Sequence, residues 1–163
     1  MSINFLKASC QEPTLNEKLF GLCDDQQGLI AYTNLDDNGK WIATVKNDKS
    51  TRLIFTAIDK CIIKDNEQIG RGRCDCMLTS EEHIIFVELK DQRKSWVLDA
   101  TAQLESTVQL FIENHAIGIY KHKKVYACNK QQRHFQEVDH EINLRFFRKY
   151  GVRIDVQSEI IVI

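Results

Sequence analysis

Apolar residues recur along the chain in two rhythms, every third or fourth position in some stretches and every second position in others. The first rhythm marks helices and the second marks half-buried strands. Leu15, Leu19 and Leu22 fall at helical spacing behind Pro13-Thr14, which predicts a first helix over residues 14–22 with Thr14 as its cap. Residues 28–33 read as a strand. The turn residues Asp36-Asp37-Asn38-Gly39 follow, and 41–45 read as the hairpin partner of that strand. Residues 52–64 are rich in Ile and read mostly as strand.

The middle of the chain is more sharply patterned. Residues 73–79 and 83–89 are two β-prone runs joined by Ser80-Glu81-Glu82, a hairpin signal that leaves His83 in the turn and facing solvent. From 95 to 114 the steps between Val97, Ala100, Thr101, Leu104, Val108, Phe111 and Ile112 are mostly three and four. That spacing predicts a helix of about five turns. Strands are expected over 116–120 and 124–128, then a helix over 137–150 stopped by Gly151. Residues 153–156 and 160–163 read as a small terminal hairpin. Helix, strands, helix, strands in this order predict an α/β architecture, with α+β as the neighbouring class.

Composition narrows the picture. A chain of 163 residues with 43% hydrophobic and 28% charged positions fits one domain over 1–163, and a single Pro argues against long linkers. No apolar run reaches the ~20 residues of a membrane span. The start, Met1 to Lys7, lacks the basic and apolar regions of a signal peptide, so a cytoplasmic setting is expected, without membrane contact. Six cysteines in a reducing setting are expected to be free and mostly buried. Only Cys74 and Cys76 are close, and no second pair stands at zinc-finger spacing. The net charge of −1 decides nothing about nucleic acid. Clustering would matter, and basic residues gather around Arg71/Arg73, Lys121–Lys124, Lys130/Arg133 and Arg145/Arg148/Lys149.

The chemistry concentrates at Asp75 and in the run Phe86-Val87-Glu88-Leu89-Lys90. Strand side chains alternate, so Glu88 and Lys90 project together while Leu89 points away. A turn centred on 80–83 sets Asp75 opposite or nearly opposite Glu88, where Cβ atoms stand roughly 4.5–5.5 Å apart. Two ionised carboxylates that close repel, and a divalent cation between them relieves the cost. A Glu-Leu-Lys strand end is often only a solvated salt-bridge edge. Here, though, it follows Ile84-Ile85-Phe86-Val87, a run typical of a strand buried on both faces. The five histidines show no metal spacing, and no nucleophile elbow or phosphate loop occurs. Trp41 and Trp96 can stack on bases, though packing is the commoner use.

Arg73-Cys74-Asp75, the Phe86–Lys90 strand and the helix bearing Ala102-Gln103-Leu104 resemble the signature of the PD-(D/E)XK nuclease superfamily. More narrowly, they look like small stand-alone bacterial proteins with an "RCD…ELK…QL" pattern. The resemblance covers residues 70–129 and departs at Cys74, where the superfamily's name implies Pro. It implies a restriction-endonuclease-like αβββαβ core with a mixed central sheet flanked by helices. It also implies Mg²⁺ (Mn²⁺ substituting) on Asp75 and Glu88 with Lys90 serving the attacking water. Gln103 on the following helix would support the site, with Gln109 as its rival, and Glu17 on the first helix would add an acid. The Leu89 carbonyl is a further candidate ligand. Arg71 and Arg73, set among glycines, are candidate phosphate contacts. The expected activity is hydrolysis of phosphodiesters in nucleic acid, DNA ahead of RNA. The competing expectation is a nuclease-fold module without strong activity that binds nucleic acid or a protein partner. A small nuclease without a targeting domain needs restraint, from a homo-oligomer, a partner or an effector.

Overall fold

The computed structural model describes residues 2–136 and 140–163. Among the described residues, nine strands form two sheets. The larger has five, in the order β4 (Ile54–Ala57), β5 (Cys76–Thr79), β6 (His83–Lys90), β7 (His122–Asn129) and β8 (Arg153–Val156). Its first three strands form an antiparallel meander, whereas β7 and β8 run parallel to β6. Parallel neighbours require a crossover, and helix α1 (Val97–Asn114) supplies the one from β6 to β7. Helix α2 (His140–Tyr150) carries the chain from β7 to β8. The smaller sheet has the order β2 (Tyr32–Asn34), β1 (Leu19–Cys23), β3 (Ala43–Lys46) and β9 (Glu159–Ile161).

Strand β6 is central, and its alternation assigns the layers. Ile84 and Phe86 pack with Leu104, Val108 and Phe111 of α1 and with Phe146 of α2. Ile85, Val87 and Leu89 face the other way and pack with Phe20, Leu22 and Val45 of the smaller sheet. Three layers result: helices, five-stranded sheet, four-stranded sheet. Each large apolar side chain fully buried in either core contributes roughly 1.5–3 kcal/mol. Both tryptophans are buried, and Trp96 donates its indole N–H to Gln132 Oε1 at 2.8 Å.

Several expectations fail where distant pairing overrides local pattern. Residues 14–22 do not form a helix, because 20–23 are buried in β1 between β2 and β3. The same insertion removes the expected hairpin of 28–33 with 41–45, since β2 and β3 each pair with β1 instead. Residues 52–64 keep only Ile54–Ala57 as strand, and Ile117–Ile119 is a 3₁₀ turn. The terminal hairpin is also absent. Between β8 and β9, buried Ser158 bonds through its hydroxyl to Asn129 and accepts from the Thr44 N–H at 2.8 Å. That anchor turns β9 away into the smaller sheet, parallel to β3. The start of the expected 137–150 helix, residues 137–139, lies outside the described residues.

Two of the six thiols are not free: Cys10 and Cys61 form a disulfide with Cα atoms 5.7 Å apart. Cys23, Cys74, Cys76 and Cys128 are free and buried. No helix among the described residues is long and apolar enough to cross a membrane.

One glycine is demanded by packing. A Cβ on Gly21 would lie 2.0 Å from Trp41 Cγ, and that ring is tethered by its N–H to Asn34 Oδ1 at 3.0 Å. Gly21→Ala is expected to cost about 2 kcal/mol through overpacking. Urea denaturation reads this directly. An unchanged midpoint would mean that the indole moves aside freely.

Candidate active site

The β5–β6 register, with Cys76 opposite Val87, continues one step to set Asp75 opposite Glu88. Met77 and Phe86, each two residues further into the sheet, belong to the helix-side core. Asp75, Glu88 and Lys90 therefore share the helix-facing side at the end of the central strand. A cleft of about 230 Å³ opens there, lined by these three residues together with Leu89 and Gln103.

Each side chain is held by a separate device. Asp75 Oδ2 accepts the Leu89 backbone N–H at 2.7 Å. Glu88 is 2% exposed; its Oε2 lies 3.3 Å from Lys90 Nζ, and its Oε1 is buried with no hydrogen-bond partner. Lys90 Nζ also lies 2.8 Å from Asp99 Oδ2, in the first turn of α1. Gln103 Oε1 is likewise buried without a partner. The helix is pinned beside β5 because the Cys74 N–H donates to Thr107 Oγ1 at 2.7 Å. Gly72 permits this approach, since a Cβ there would come within 3.3 Å of Gln103 Cα.

The electrostatics follow from burial. Burial first, then the charge of Glu88, holds the Asp75 carboxyl well above the usual carboxylate range. Burial raises Glu88 to about 7 even though a hydrogen bond shared with Asp75, and then the Lys90 charge, oppose the shift. For Lys90, burial pulls its pKa down, but the Asp99 hydrogen bond and the Glu88 charge outweigh it, and the ammonium stays charged. Burial pushes the thiols of Cys74, Cys76 and Cys128 up, so none of them is a nucleophile at neutral pH.

No family model, curated protein or solved structure matches the chain. The site must be judged on its own donors. Among the described residues no three His, Cys, Asp or Glu side chains stand together as a metal cage. Mg²⁺ does not need one, because it is commonly held by one or two carboxylates and keeps several waters. Two carboxylates, plus unpartnered oxygens on Glu88 and Gln103, make a donor set of that kind.

The remaining expected residues are placed elsewhere. Glu17 is exposed ahead of β1, does not line the cleft, and has no helix beneath it. Gln109 is exposed, which leaves Gln103 as the glutamine at the cleft. Arg71 pairs with Glu113 at 2.8 Å and Arg73 with Asp59 at 2.7 Å, and neither lines the cleft. Arg73 instead positions Asp59, which does. Asp24, at the end of β1, and Asp59, after β4, are cleft residues that sequence reasoning missed. No spacing rule links positions 24 or 59 to 75 and 88. His83 is buried rather than solvent-facing, with Nδ1 2.8 Å from Ser80 Oγ and Nε2 2.7 Å from the Ile163 backbone oxygen.

Proposed function

We propose that the chain is a metal-dependent phosphodiester hydrolase acting on nucleic acid, DNA ahead of RNA. The observation that carries this is the opposed, buried Asp75–Glu88 pair with Lys90 beside it, at the open end of the central strand. Burying two acids face to face costs several kcal/mol in isolation, and proteins keep such pairs where they have a task. The run of β4, β5, β6, α1 and β7 supports a restriction-endonuclease-like core, although no α-helix precedes β4 among the described residues.

In this reading Asp75 and Glu88 hold Mg²⁺ or Mn²⁺, with the Gln103 side-chain oxygen and the Leu89 carbonyl as further donors. The bound ion would lower the pKa of a coordinated water and offset charge on the phosphate. Lys90 stays protonated, so it orients the nucleophile and stabilises developing negative charge rather than taking a proton. Asp99 sets the direction of that ammonium. The Leu89 N–H bond to Asp75 fixes one acid of the pair.

The second reading, a module with the same fold and little activity that binds a protein partner rather than nucleic acid, is favoured by the cleft's charge. Asp24 and Asp59 stand beside Asp75 and Glu88, against only Lys60 and Lys90 on the lining. A polyanion enters such a cleft only if cations reverse its sign. The test is incubation of plasmid, linear DNA and RNA with Mg²⁺, Mn²⁺ or chelator, alongside Lys90→Ala protein purified in parallel. Metal-dependent cutting that the variant lacks is the expected result. Equal cutting by both proteins, or none by the wild type, would leave the binding module as the better reading.

A further inference from the structure

A second cleft opens at the other end of the central strand. Seven steps along β6 separate His83 from Lys90, so the two sites lie about 23 Å apart at 3.3 Å per residue. The second cleft encloses about 1040 Å³, ample for a small organic molecule. Its walls come from the N-terminal segment, the β3–β4 connection, the β5–β6 turn and the residues before β7. Leu6, Ile54 and Tyr120 supply apolar surface.

The polar equipment is of two kinds. Lys49, Arg52 and Lys121 line the cleft, and among the described residues none of them has an ion-pair partner. Glu81 and Glu82 line it too, so three basic side chains stand against two acidic ones. The pKa of His122 is held below the usual histidine value by burial first and then by His83, Lys121 and Lys49, against Glu82. The second element is flat. His83 and His122 stack with ring centroids 4.7 Å apart, and both nitrogens of His83 are engaged, so the stack is fixed in place. An aromatic ring stack beside unpaired cations suits a ligand that joins a ring system to an anionic group.

We infer that this cleft binds a nucleoside phosphate, with the base toward the His83–His122 stack and the phosphates toward Lys49, Arg52 and Lys121. The site is independent of the hydrolase reading. Titration calorimetry on the full chain in chelator tests it, with ATP, GTP, adenosine and inorganic tripolyphosphate as probes. At least one nucleotide should bind about tenfold more tightly than adenosine or tripolyphosphate. Lys49→Ala/Lys121→Ala should weaken that binding at least about tenfold without changing the melting temperature, and Glu88→Gln should leave it intact. Failure of both nucleotides to bind, tripolyphosphate binding as tightly as they do, or undiminished binding by the lysine variant would each overturn the inference. Loss of binding in Glu88→Gln would do the same, because it would place the ligand in the other cleft.

Discussion

Glu88→Gln should lower the rate of phosphodiester cleavage by roughly a thousandfold, equivalent to about 4 kcal/mol of transition-state stabilisation. In chelator at pH 8, the same variant should be at least as stable as the wild type. The two effects have one origin. Glu88 is a buried carboxyl with one oxygen near Lys90 and the other facing Asp75, and burial outweighs the help of Lys90, so its charge costs the metal-free fold and is compensated by a bound cation. Glutamine keeps the shape and removes the charge. Steady-state cleavage and thermal melting on the same preparations decide the matter. A variant that is both inactive and markedly less stable would make Glu88 a structural partner of Lys90 instead.

Between pH 5 and 8 the metal-free wild type should lose stability as the pH rises, and Mg²⁺ or Mn²⁺ should restore it at the alkaline end. The sign follows from the protons each state holds. Glu88 titrates near its ordinary value, 4.5, in the unfolded chain but at about 7 in the folded one, with burial as the leading cause. Across that window the folded state retains a proton that the unfolded chain has released, so raising the pH favours unfolding. Asp75 is shifted in the same direction. For Glu88 alone the loss is on the order of 3 kcal/mol, or roughly 6–12 °C in melting temperature for a chain of this size. Subtracting the Glu88→Gln profile separates Glu88, with the effect it has on Asp75, from the more distant titrating residues. A flat difference profile would mean that the folded carboxyl is already ionised and paired.

The core of the site was legible because two local rules compound. Alternation put Glu88 and Lys90 on one face, and a four-residue turn region fixed which residue of the preceding run would oppose them. Helix α1 was equally plain, since its buried positions repeat over five turns. Gln103 came from the superfamily resemblance and does line the cleft. Arg71 and Arg73 read as phosphate contacts because a sequence cannot show that Glu113 and Asp59 already hold them. Asp24 and Asp59 could not be anticipated at all. They reach the cleft only once β1 and the turn after β4 are in place, and their distance from position 75 depends on long-range pairing. The smaller sheet was misread for the same reason. Leu15, Leu19 and Leu22 satisfy a helical spacing, but the pairing of Gly21 with Thr44 and Asn34 outweighs that preference.

Strand β9 closes the smaller sheet from the far end of the chain: Thr44 waits for Glu159. During synthesis β3 therefore emerges with β1 on one side and nothing on the other, while more than a hundred further residues are still to be added. For several seconds, at the usual rate of elongation, the nascent chain displays a bare strand edge open to any extended peptide nearby. The chain thus acquires its native shape after translation has passed residue 161. Its yield in a cell depends on how well that edge is shielded in the meantime.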